Sequence, residues 1–290
     1  MFPWCILNTL VMSKHTKKVG IALSGGSTYG IAHIGVLAAL EEAHIHIDCV
    51  SGTSAGALVG ACLAFGLSAR EMRERTSALD WKKLSKFTFS RMGLKSNEPM
   101  ATFLTDMLDE VHIEDAKIPL AIVATNIENH QMVTLRKGAL NVAVRASTSI
   151  PGLFTPVEMD GQLLVDGGLT ENVPLSALEE LGAEVKIAVN LLNASAYSRP
   201  KNVVDVLNKS VDILSLHRDQ HLARQAAILI EPDLSPFDSM SFKNADQLFM
   251  AGYAAGKNAV PQIQALLKTK PRSGVMRALI KFFSFIAGTK

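Results

Sequence analysis

A serine in a tight turn between a strand and a helix is the strongest candidate for catalysis in this sequence. The stretch Gly52-Thr53-Ser54-Ala55-Gly56 has G-x-S-x-G spacing, follows the short apolar run Ile47–Val50 and precedes small apolar residues at helical spacing. A strand, a sharp turn and a helix form the context of a nucleophile elbow, which presents the serine hydroxyl. Glycines two residues either side avoid backbone clashes in such a turn. We therefore predict that Ser54 is a nucleophile; a serine that merely caps the helix is the alternative.

No histidine in the sequence has a position suited to activating Ser54. His33 precedes the serine in a helical pattern, where we expect a partly buried structural histidine. His217 and His221 lie in a charged helical stretch with no loop signal around them. Because a polar side chain on a helix is usually solvated, a carboxylate must be considered as the base.

Asp166 is the best-placed carboxylate. It follows the apolar run Leu163–Val165 and precedes Gly167 and Gly168, so we expect it in a tight turn at a strand end. Functional sites of open α/β sheets collect at such strand ends. The pattern makes Asp166 the candidate proton acceptor, and an ordinary Asp-Gly-Gly turn is the alternative.

A glycine-rich loop is the third candidate element. The segment Ser24–Gly30 follows an apolar strand pattern and opens a helix. Glycines at such a position let backbone N–H groups point at an anion, which makes an oxyanion hole. A dinucleotide-binding loop is the rival interpretation, but G-x-G-x-x-G spacing is not met, because Ser27 occupies the position of the second glycine. We expect the amides of Gly25, Gly26 and Ser27 to hold the oxyanion.

These three candidates must be positioned by a strand–helix architecture. Val19–Ser24 and Ile47–Val50 are predicted as buried strands, and each leads into a helical pattern. Two consecutive strand–helix units indicate βαβ topology and a parallel, doubly wound sheet. Further strands are predicted at Ile118–Asn126, Gln131–Leu135, Gln162–Val165, Val185–Leu191 and Ala227–Ile230. Further helices are predicted at Ala139–Ser147, Val173–Leu181, Lys201–Arg224 and Asn244–Leu267.

Three segments differ from this pattern. Residues 68–108 are charged and contain several Met and Phe, which predicts helices with a mobile connection that acts as a lid or cap. Ile150–Pro156 contains two prolines and is predicted as a rigid loop. Residues 268–290 carry six Lys or Arg and no acid, and apolar residues recur at helical spacing over 275–286. A basic amphipathic helix of this kind contacts a membrane surface or packs on the domain.

Composition and charge exclude several classes of function. The net charge of the 290 residues is +2, so nucleic-acid binding is not indicated. The three cysteines, Cys5, Cys49 and Cys62, have no metal-ligand spacing, and their odd number argues against a disulfide framework. No apolar run is long enough to span a bilayer, and Met1–Met12 lacks the features of a signal peptide. We expect a cytoplasmic protein that contacts the inner membrane face peripherally and needs neither metal nor cofactor.

In chain order, the candidate segments resemble the patatin-like phospholipases, especially their bacterial branch. Four blocks carry the resemblance: Ser24–Leu37, Gly52–Gly56, Ala146–Pro156 and Asp166–Pro174. The resemblance implies a three-layer αβα fold with a mainly parallel central sheet, a catalytic domain over residues 18–267 and an extension over residues 1–17. It also implies a Ser54–Asp166 dyad without histidine, in a phospholipase A or lysophospholipase-like hydrolase whose substrate is a lipid or phospholipid. The glycines that support the motifs are Gly30, Gly52, Gly56, Gly167 and Gly168.

The glycine-rich loop departs from the family pattern Gly-Gly-Gly-x-Arg/Lys-Gly. Ser27 stands in place of the third glycine and Tyr29 in place of the basic residue. The lost cation removes positive charge near the oxyanion and a contact to a phosphate head group, whereas the main-chain donors are kept. This departure leaves a catalytically weak or inactive membrane-associated regulatory protein as the alternative. Acyl transfer is a third interpretation, but it uses a histidine partner that the sequence does not place.

Overall fold

The fold is known from a computed structural model that describes residues 17–76, 84–88, 90–192, 199–200, 203–238 and 241–268. The side chains of residues 204, 208 and 216–222 are also outside the described part. The predictions for residues 1–16 and for the amphipathic segment 275–286 therefore lie outside the described residues. The same holds for the side chains of His217 and His221.

Strands and helices alternate along the first half of the described chain, as the sequence pattern predicts. The strands are β1 (Val19–Leu23), β2 (Cys49–Thr53), β3 (Lys86–Phe87), β4 (Gly93–Ser96), β5 (Leu120–Asn126), β6 (Gln131–Leu135), β7 (Gly152–Phe154), β8 (Val157–Met159), β9 (Gln162–Asp166), β10 (Val185–Val189) and β11 (Ile228–Ile230). The helices are α1 (Gly30–Glu42), α2 (Ala55–Ala64), α3 (Ala69–Thr76), α4 (Glu98–Leu108), α5 (Leu140–Ser147), α6 (Leu175–Glu180), α7 (Val203–Ala223) and α8 (Ala245–Lys268).

A mainly parallel, eight-stranded sheet forms the centre of the fold, as expected. The strands β11, β10, β1, β2 and β5 are neighbours in that order and all parallel. Four of them are short apolar runs, which suits strands with helices on both faces. β2 begins at Cys49, two residues later than predicted. It continues to Thr53, because Gly52 still pairs with Leu23 of β1 and Thr53 with Val123 of β5.

The far edge of the sheet is antiparallel. β9 runs opposite to β5, β8 opposite to β9, and β6 forms a hairpin with β5. Thr53 is opposite Val123, and the next residue of β5, Ala124, is opposite Asp166. This register brings the residue after β2 and the last residue of β9 to the same level of the sheet.

Helices cover both faces of the sheet, which gives the expected three layers. Ile21 and Leu23 of β1 belong to a large core that includes residues of α1, α2 and α8. Ala22, on the opposite face of the same strand, packs with Leu175 and Leu178 of α6. Both described cysteines, Cys49 and Cys62, are buried in these cores, as predicted.

The segment between α3 and β5 differs from the prediction of helices and a connection alone. β3 and β4 form an antiparallel pair, and β4 pairs in parallel with β7. The predicted rigid loop at residues 150–156 therefore contains a strand, because the backbone of Gly152–Phe154 pairs with β4. The helix predicted from Val173 begins at Leu175, and Pro174 is its N-cap residue.

None of the helices within the described residues is both long and apolar enough to cross a membrane.

Candidate active site

Ser54 lies between β2 and α2 in a strained backbone conformation. Its φ is 53° and its ψ is −120°, a combination that L-residues rarely adopt and that costs about 1–3 kcal/mol. The turn is tight because the backbones around it touch: a Cβ atom on Gly52 would collide with Gly56 and Ala57, and one on Gly56 would collide with the Leu23 carbonyl. The two flanking glycines are therefore a steric requirement of the turn that holds Ser54.

Ser147 of α5 anchors the backbone of Ser54. The Ser54 N–H donates to Ser147 Oγ at 2.8 Å, and the Ser147 hydroxyl donates to the Val123 carbonyl at 2.6 Å. Ser147 is fully buried. The Ser54 amide is therefore engaged and does not face a substrate. The sequence analysis included Ser147 in one of the four family blocks but assigned it no role. Its position at the end of a predicted helix was the signal that could have indicated a contact with the site.

Replacing Ser147 with alanine is expected to lower kcat and to reduce the free energy of unfolding. The change removes the hydrogen bonds of Ser147 Oγ to the Ser54 N–H and to the Val123 carbonyl, and a buried group left unsatisfied costs about 1–3 kcal/mol. A matched control is Ser51→Ala, because Ser51 is equally buried and donates to the Pro174 carbonyl at 2.6 Å. Chemical denaturation should show that the two variants are destabilised to a comparable extent per lost hydrogen bond. Steady-state kinetics should show a loss of kcat in Ser147→Ala alone. An equal loss of kcat in both variants would contradict the anchoring role.

Asp166, the last residue of β9, contacts Ser54. Its carboxylate accepts a hydrogen bond from the Ser54 hydroxyl and another from the Gly168 N–H at 2.8 Å. Its own N–H donates to the Ser149 carbonyl at 3.0 Å. Because Ser147 holds the amide of Ser54, the short segment 147–149 fixes both members of the pair. The structure thus brings together the two side chains that the sequence separates by more than a hundred residues.

Helix α7 supports the turn that follows Asp166. The Ser215 hydroxyl donates to the Gly168 carbonyl at 2.9 Å, and Ser215 is buried. Because the N–H of Gly168 binds the Asp166 carboxylate, this contact steadies the turn on which the carboxylate depends. A Cβ atom on Gly167 would collide with the Val123 carbonyl, so the Asp-Gly-Gly turn packs directly on β5.

Burial raises the pKa of Asp166 to about 6. The hydrogen bonds from Ser54 and Gly168 oppose this rise, while the negative charge of Asp212 on α7 adds to it. Asp212 is half-buried, and burial raises its pKa as well, against the attraction of Lys209. A carboxylate with a pKa near 6 is a stronger base than an exposed one and is still ionised at neutral pH.

The glycine-rich loop lies beside Ser54, but one predicted donor is occupied. The Gly25 N–H donates to the Asn172 carbonyl at 3.2 Å. The prediction that Gly25 holds the oxyanion is therefore wrong for its amide. Gly25 serves through its lack of a side chain, since a Cβ atom there would lie 2.5 Å from Asn172 Oδ1 and 3.2 Å from Ser54 Cβ.

The amides of Gly26 and Ser27 are held in fixed peptide planes. The Ser24 hydroxyl donates to the Gly25 carbonyl at 2.9 Å, and the Tyr29 N–H donates to the Gly26 carbonyl at 3.0 Å. Because a peptide unit is planar, fixing a carbonyl also fixes the N–H of the next residue. These two amides are the remaining candidates for oxyanion donors.

The two departures from the family pattern have structural consequences. Ser27 has a φ of 54°, in the left-handed region where glycine is favoured, and a side chain there costs about 1 kcal/mol. Tyr29 does not take the place of a cation at the site, because its ring is buried and its hydroxyl donates to the Phe237 carbonyl at 2.6 Å.

His33 is completely buried, rather than partly buried as predicted. Its Nε2 lies 2.8 Å from the Ser24 carbonyl oxygen, and burial lowers the pKa of the imidazole to about 4. A neutral ring therefore donates from Nε2 to the glycine-rich loop. This bond makes His33 a support of the loop, and Asp166 remains the candidate base beside Ser54.

An apolar pocket opens beside Ser54. It is partly open to solvent and its surface is predominantly apolar, as in clefts that bind apolar ligands. Its lining includes Ser27, Ser54, Leu58, Met100, Ile150 and Phe154. Such a pocket suits a long apolar group whose polar end reaches Ser54. Within the described ranges, no three His, Cys, Asp or Glu side chains cluster as metal ligands.

Comparison with known proteins gives a family match over most of this region. Residues 21–179 match the family described as patatin-like phospholipase. An uncharacterized NTE family protein of Mycobacterium tuberculosis is 33% identical over 224 residues, which cover 74% of this chain and 61% of that protein. Lysophospholipase NTE1 of Coccidioides immitis is 27% identical over 283 residues, which cover 86% of this chain and 18% of that protein. The chain thus spans about three fifths of the mycobacterial relative and under a fifth of the fungal one.

A solved structure shares the fold. The crystal structure of VipD from Legionella pneumophila superposes with a TM-score of 0.58 at 15% identity, covering 84% of this chain and 67% of that chain. At this level of identity the likeness concerns the fold alone.

Proposed function

This chain belongs to the patatin-like phospholipase family, and we propose that it is a lipid acyl hydrolase with Ser54 as nucleophile and Asp166 as base. The observation that carries the proposal is the hydrogen bond from the Ser54 hydroxyl to a buried carboxylate with a pKa of about 6. The apolar pocket beside Ser54 supports a lipid acyl chain as the bound group. The lysophospholipase name of a fungal relative agrees with this class of substrate.

The proposed reaction proceeds through an acyl-enzyme. Asp166 accepts the proton of the Ser54 hydroxyl while Oγ attacks the acyl carbonyl carbon, and the amides of Gly26 and Ser27 bind the resulting oxyanion. The tetrahedral intermediate collapses, and the protonated Asp166 gives its proton to the leaving alcohol. Asp166 then takes a proton from water, whose oxygen attacks the acyl carbonyl carbon. As the acyl–Oγ bond breaks, Asp166 returns that proton to Ser54 Oγ and the fatty acid leaves. One carboxylate thus serves as base and then acid in each half of the reaction.

The active-site pKa predicts the pH dependence of the reaction. We expect kcat/KM for a water-soluble ester to be constant above the pKa of Asp166, about 6. Below that value it should fall about tenfold per pH unit, because the protonated carboxyl accepts no proton from Ser54. Initial rates measured from about pH 4.5 to 8.5, which brackets the titration, provide the test. A rate that stays constant down to the lower limit, as the ordinary aspartate pKa of 3.8 would give, would contradict it.

The neighbouring Asp212 gives this pH profile a sharper control. Because the charge of Asp212 raises the pKa of Asp166, Asp212→Asn is expected to move the inflection to lower pH. Asp205→Asn, on the same helix, serves as the matched control and should leave the inflection in place, since Asp205 is not among the groups that act on Asp166.

The function is tested directly by labelling and by lipid profiling. A fluorophosphonate probe is expected to label Ser54 covalently in the parent protein and to leave Ser54→Ala unlabelled. Incubation with mixed phospholipids should release fatty acid in the parent alone, and the consumed species identify the head group and acyl position.

The departures at Ser27 and Tyr29 favour a second candidate, a membrane-associated regulatory protein that has kept the fold but little activity. It predicts an unlabelled Ser54 and unchanged phospholipids in the same two assays. The segment 275–286, predicted to contact a membrane surface or to pack on the domain, lies outside the described residues, and its role in either candidate rests on its sequence.

A further inference from the structure

Large apolar side chains are exposed on two neighbouring elements. Of the ten exposed large hydrophobic residues in the described part of the chain, eight lie on the β3–β4 hairpin or on α7. On the hairpin they are Phe87, which is 85% exposed, Met92 and Leu94. On α7 they are Val203, Val206, Leu207, Ile213 and Leu214, which follow helical spacing. This concentration is unusual for a free surface and marks a contact region.

The two elements form one continuous surface. Gly93 of β4 pairs with Gly152 of β7, and the Leu207 side chain of α7 lies in van der Waals range of a Cβ atom placed on Gly152. β7 therefore joins the hairpin to α7. We call the exposed apolar residues of the hairpin and α7 the apolar face.

The apolar face adjoins the pocket that holds Ser54. Phe154 of β7 pairs with Lys95 of β4 and lines the pocket. Leu84, which also lines the pocket, immediately precedes the hairpin. A partner seated on this face would thus lie next to the pocket.

The charge around the hairpin indicates an anionic partner. Residues 84–97 contain Lys86, Arg91 and Lys95 and no acidic residue. Lys86 forms an ion pair with Glu98, and the Lys95 ammonium lies 5.4 Å from the centre of the Phe87 ring. A face on which cations stand beside exposed aromatic and aliphatic side chains matches the interface of an anionic bilayer, where apolar groups insert and cations meet head groups.

Other parts of this chain match the hairpin less well. The hairpin of a second copy would bring the same positive charge to this hairpin, and residues 268–290 carry six further Lys or Arg without an acid. Both occupants would be repelled by the hairpin. We propose that the β3–β4 hairpin and the exposed side of α7 form a docking surface for an anionic lipid bilayer, which places the Ser54 pocket at the membrane. The choice of a lipid over an acidic protein rests on the proposed function.

Vesicle binding by the full-length chain tests this proposal. In these binding measurements the parent is the Ser54→Ala variant, into which all further substitutions are introduced, because it leaves the lipids intact. The vesicles consist of phosphatidylcholine with or without phosphatidylglycerol. We expect tighter binding to the anionic vesicles. Phe87→Ser with Leu94→Ser should weaken that binding at least about tenfold through lost apolar insertion. Arg91→Glu should weaken it by roughly five- to thirtyfold on anionic vesicles only, since one cation near such a surface is worth about fivefold.

Ile127→Ser is the matched control, because Ile127 is exposed but lies in the turn between β5 and β6. It should bind like the parent. Thermal unfolding of each variant separates lost docking from lost folding. Equal binding by the parent and the hairpin variants would overturn the proposal, as would binding that is lost only when Phe282 and Phe283 are changed to serine. A dimeric parent that Phe87→Ser converts to a monomer would instead assign the face to a second copy.

A depth measurement gives a local readout. With Trp4 and Trp81 changed to phenylalanine, the fluorescence of Phe87→Trp should be quenched by brominated acyl chains in anionic vesicles, and that of Ile127→Trp should not. Equal quenching at both positions overturns the proposal. Because none of these measurements requires hydrolysis, failure of Ser54 to react with a fluorophosphonate would count against the proposed function and leave the docking result unaffected.

Discussion

Changing Ser54 to alanine is expected to abolish acyl-ester hydrolysis, with kcat lowered by up to about a millionfold, as for the loss of a serine nucleophile elsewhere. The physical reason is that the proposed covalent intermediate forms on Ser54 Oγ, and among the residues that the structure describes Ser54 supplies the hydroxyl that hydrogen-bonds to the Asp166 carboxylate. Ester turnover and acyl-enzyme trapping provide the measurement, with Ser51→Ala as a control for removing a buried hydroxyl. A Ser54→Ala protein that still released fatty acid at the parent rate would defeat the mechanism.

Ser54→Gly sharpens this test, because it separates strain from chemistry. Alanine keeps the side-chain strain of a residue at φ 53°, whereas glycine adopts such a conformation freely. Both variants should be inactive, but the glycine variant should unfold at higher denaturant concentration than the alanine variant, by about 1 kcal/mol or more in free energy. If alanine proved the more stable of the two, the strained elbow would be in doubt.

Asp166→Asn is expected to lower kcat by about ten-thousandfold and yet to stabilise the protein at neutral pH. Asparagine keeps a hydrogen-bonding group at the same place but accepts no proton from Ser54. Burial raises the pKa of Asp166 from 3.8 to about 6, so the folded protein disfavours the ionised form. The parent therefore loses about 3 kcal/mol of its free energy of unfolding as the pH rises from below 4 to above 6.

The neutral amide of Asp166→Asn does not titrate and escapes this loss. We expect the variant to be the more stable protein at about pH 7.5. Near pH 3.5 it should have no such advantage, because at about this pH Asp166 is largely protonated in both the folded and the unfolded protein. Urea denaturation at the two pH values measures the difference. Asp160→Asn, in the exposed turn before β9, is the control and should change stability little at either pH. A variant that is less stable than the parent at pH 7.5 would show that ionised Asp166 is not destabilising.

Local sequence predicted most of the elements that hold the site. The strand before Ser54, the helix after it and the glycine-rich turn after β1 were all expected, because apolar periodicity and glycine spacing encode them locally. The missed strands β3, β4, β7 and β8 are two to four residues long. Runs this short carry too little periodicity to be recognised, and the pairing of β4 with β7 joins Gly93 to the distant Gly152.

The occupied Gly25 amide also lay beyond the reach of the sequence. A glycine-rich loop predicts that N–H groups are available, but which of them faces the site depends on what lies opposite. Here the Asn172 carbonyl, nearly 150 residues away in the chain, takes the Gly25 N–H. The same holds for Ser147 and Asp212, whose effects on Ser54 and Asp166 arise only from tertiary packing.

By itself the sequence determined that this chain has a serine on a tight strand–helix turn, a carboxylate at a strand end and a glycine-rich loop, because each depends on residues next to one another. The tertiary structure decided how they meet. From the sequence, the strands that precede Ser54 and Asp166 were expected to be parallel and to end at the same edge of the sheet. In the structure β9, which carries Asp166, is antiparallel to β5. Asp166 comes level with Ser54 because β5 extends beyond β2 and pairs Ala124 with Asp166. Register between distant strands depends on which of their faces are buried together, and that is decided only when the strands pack in the complete sheet.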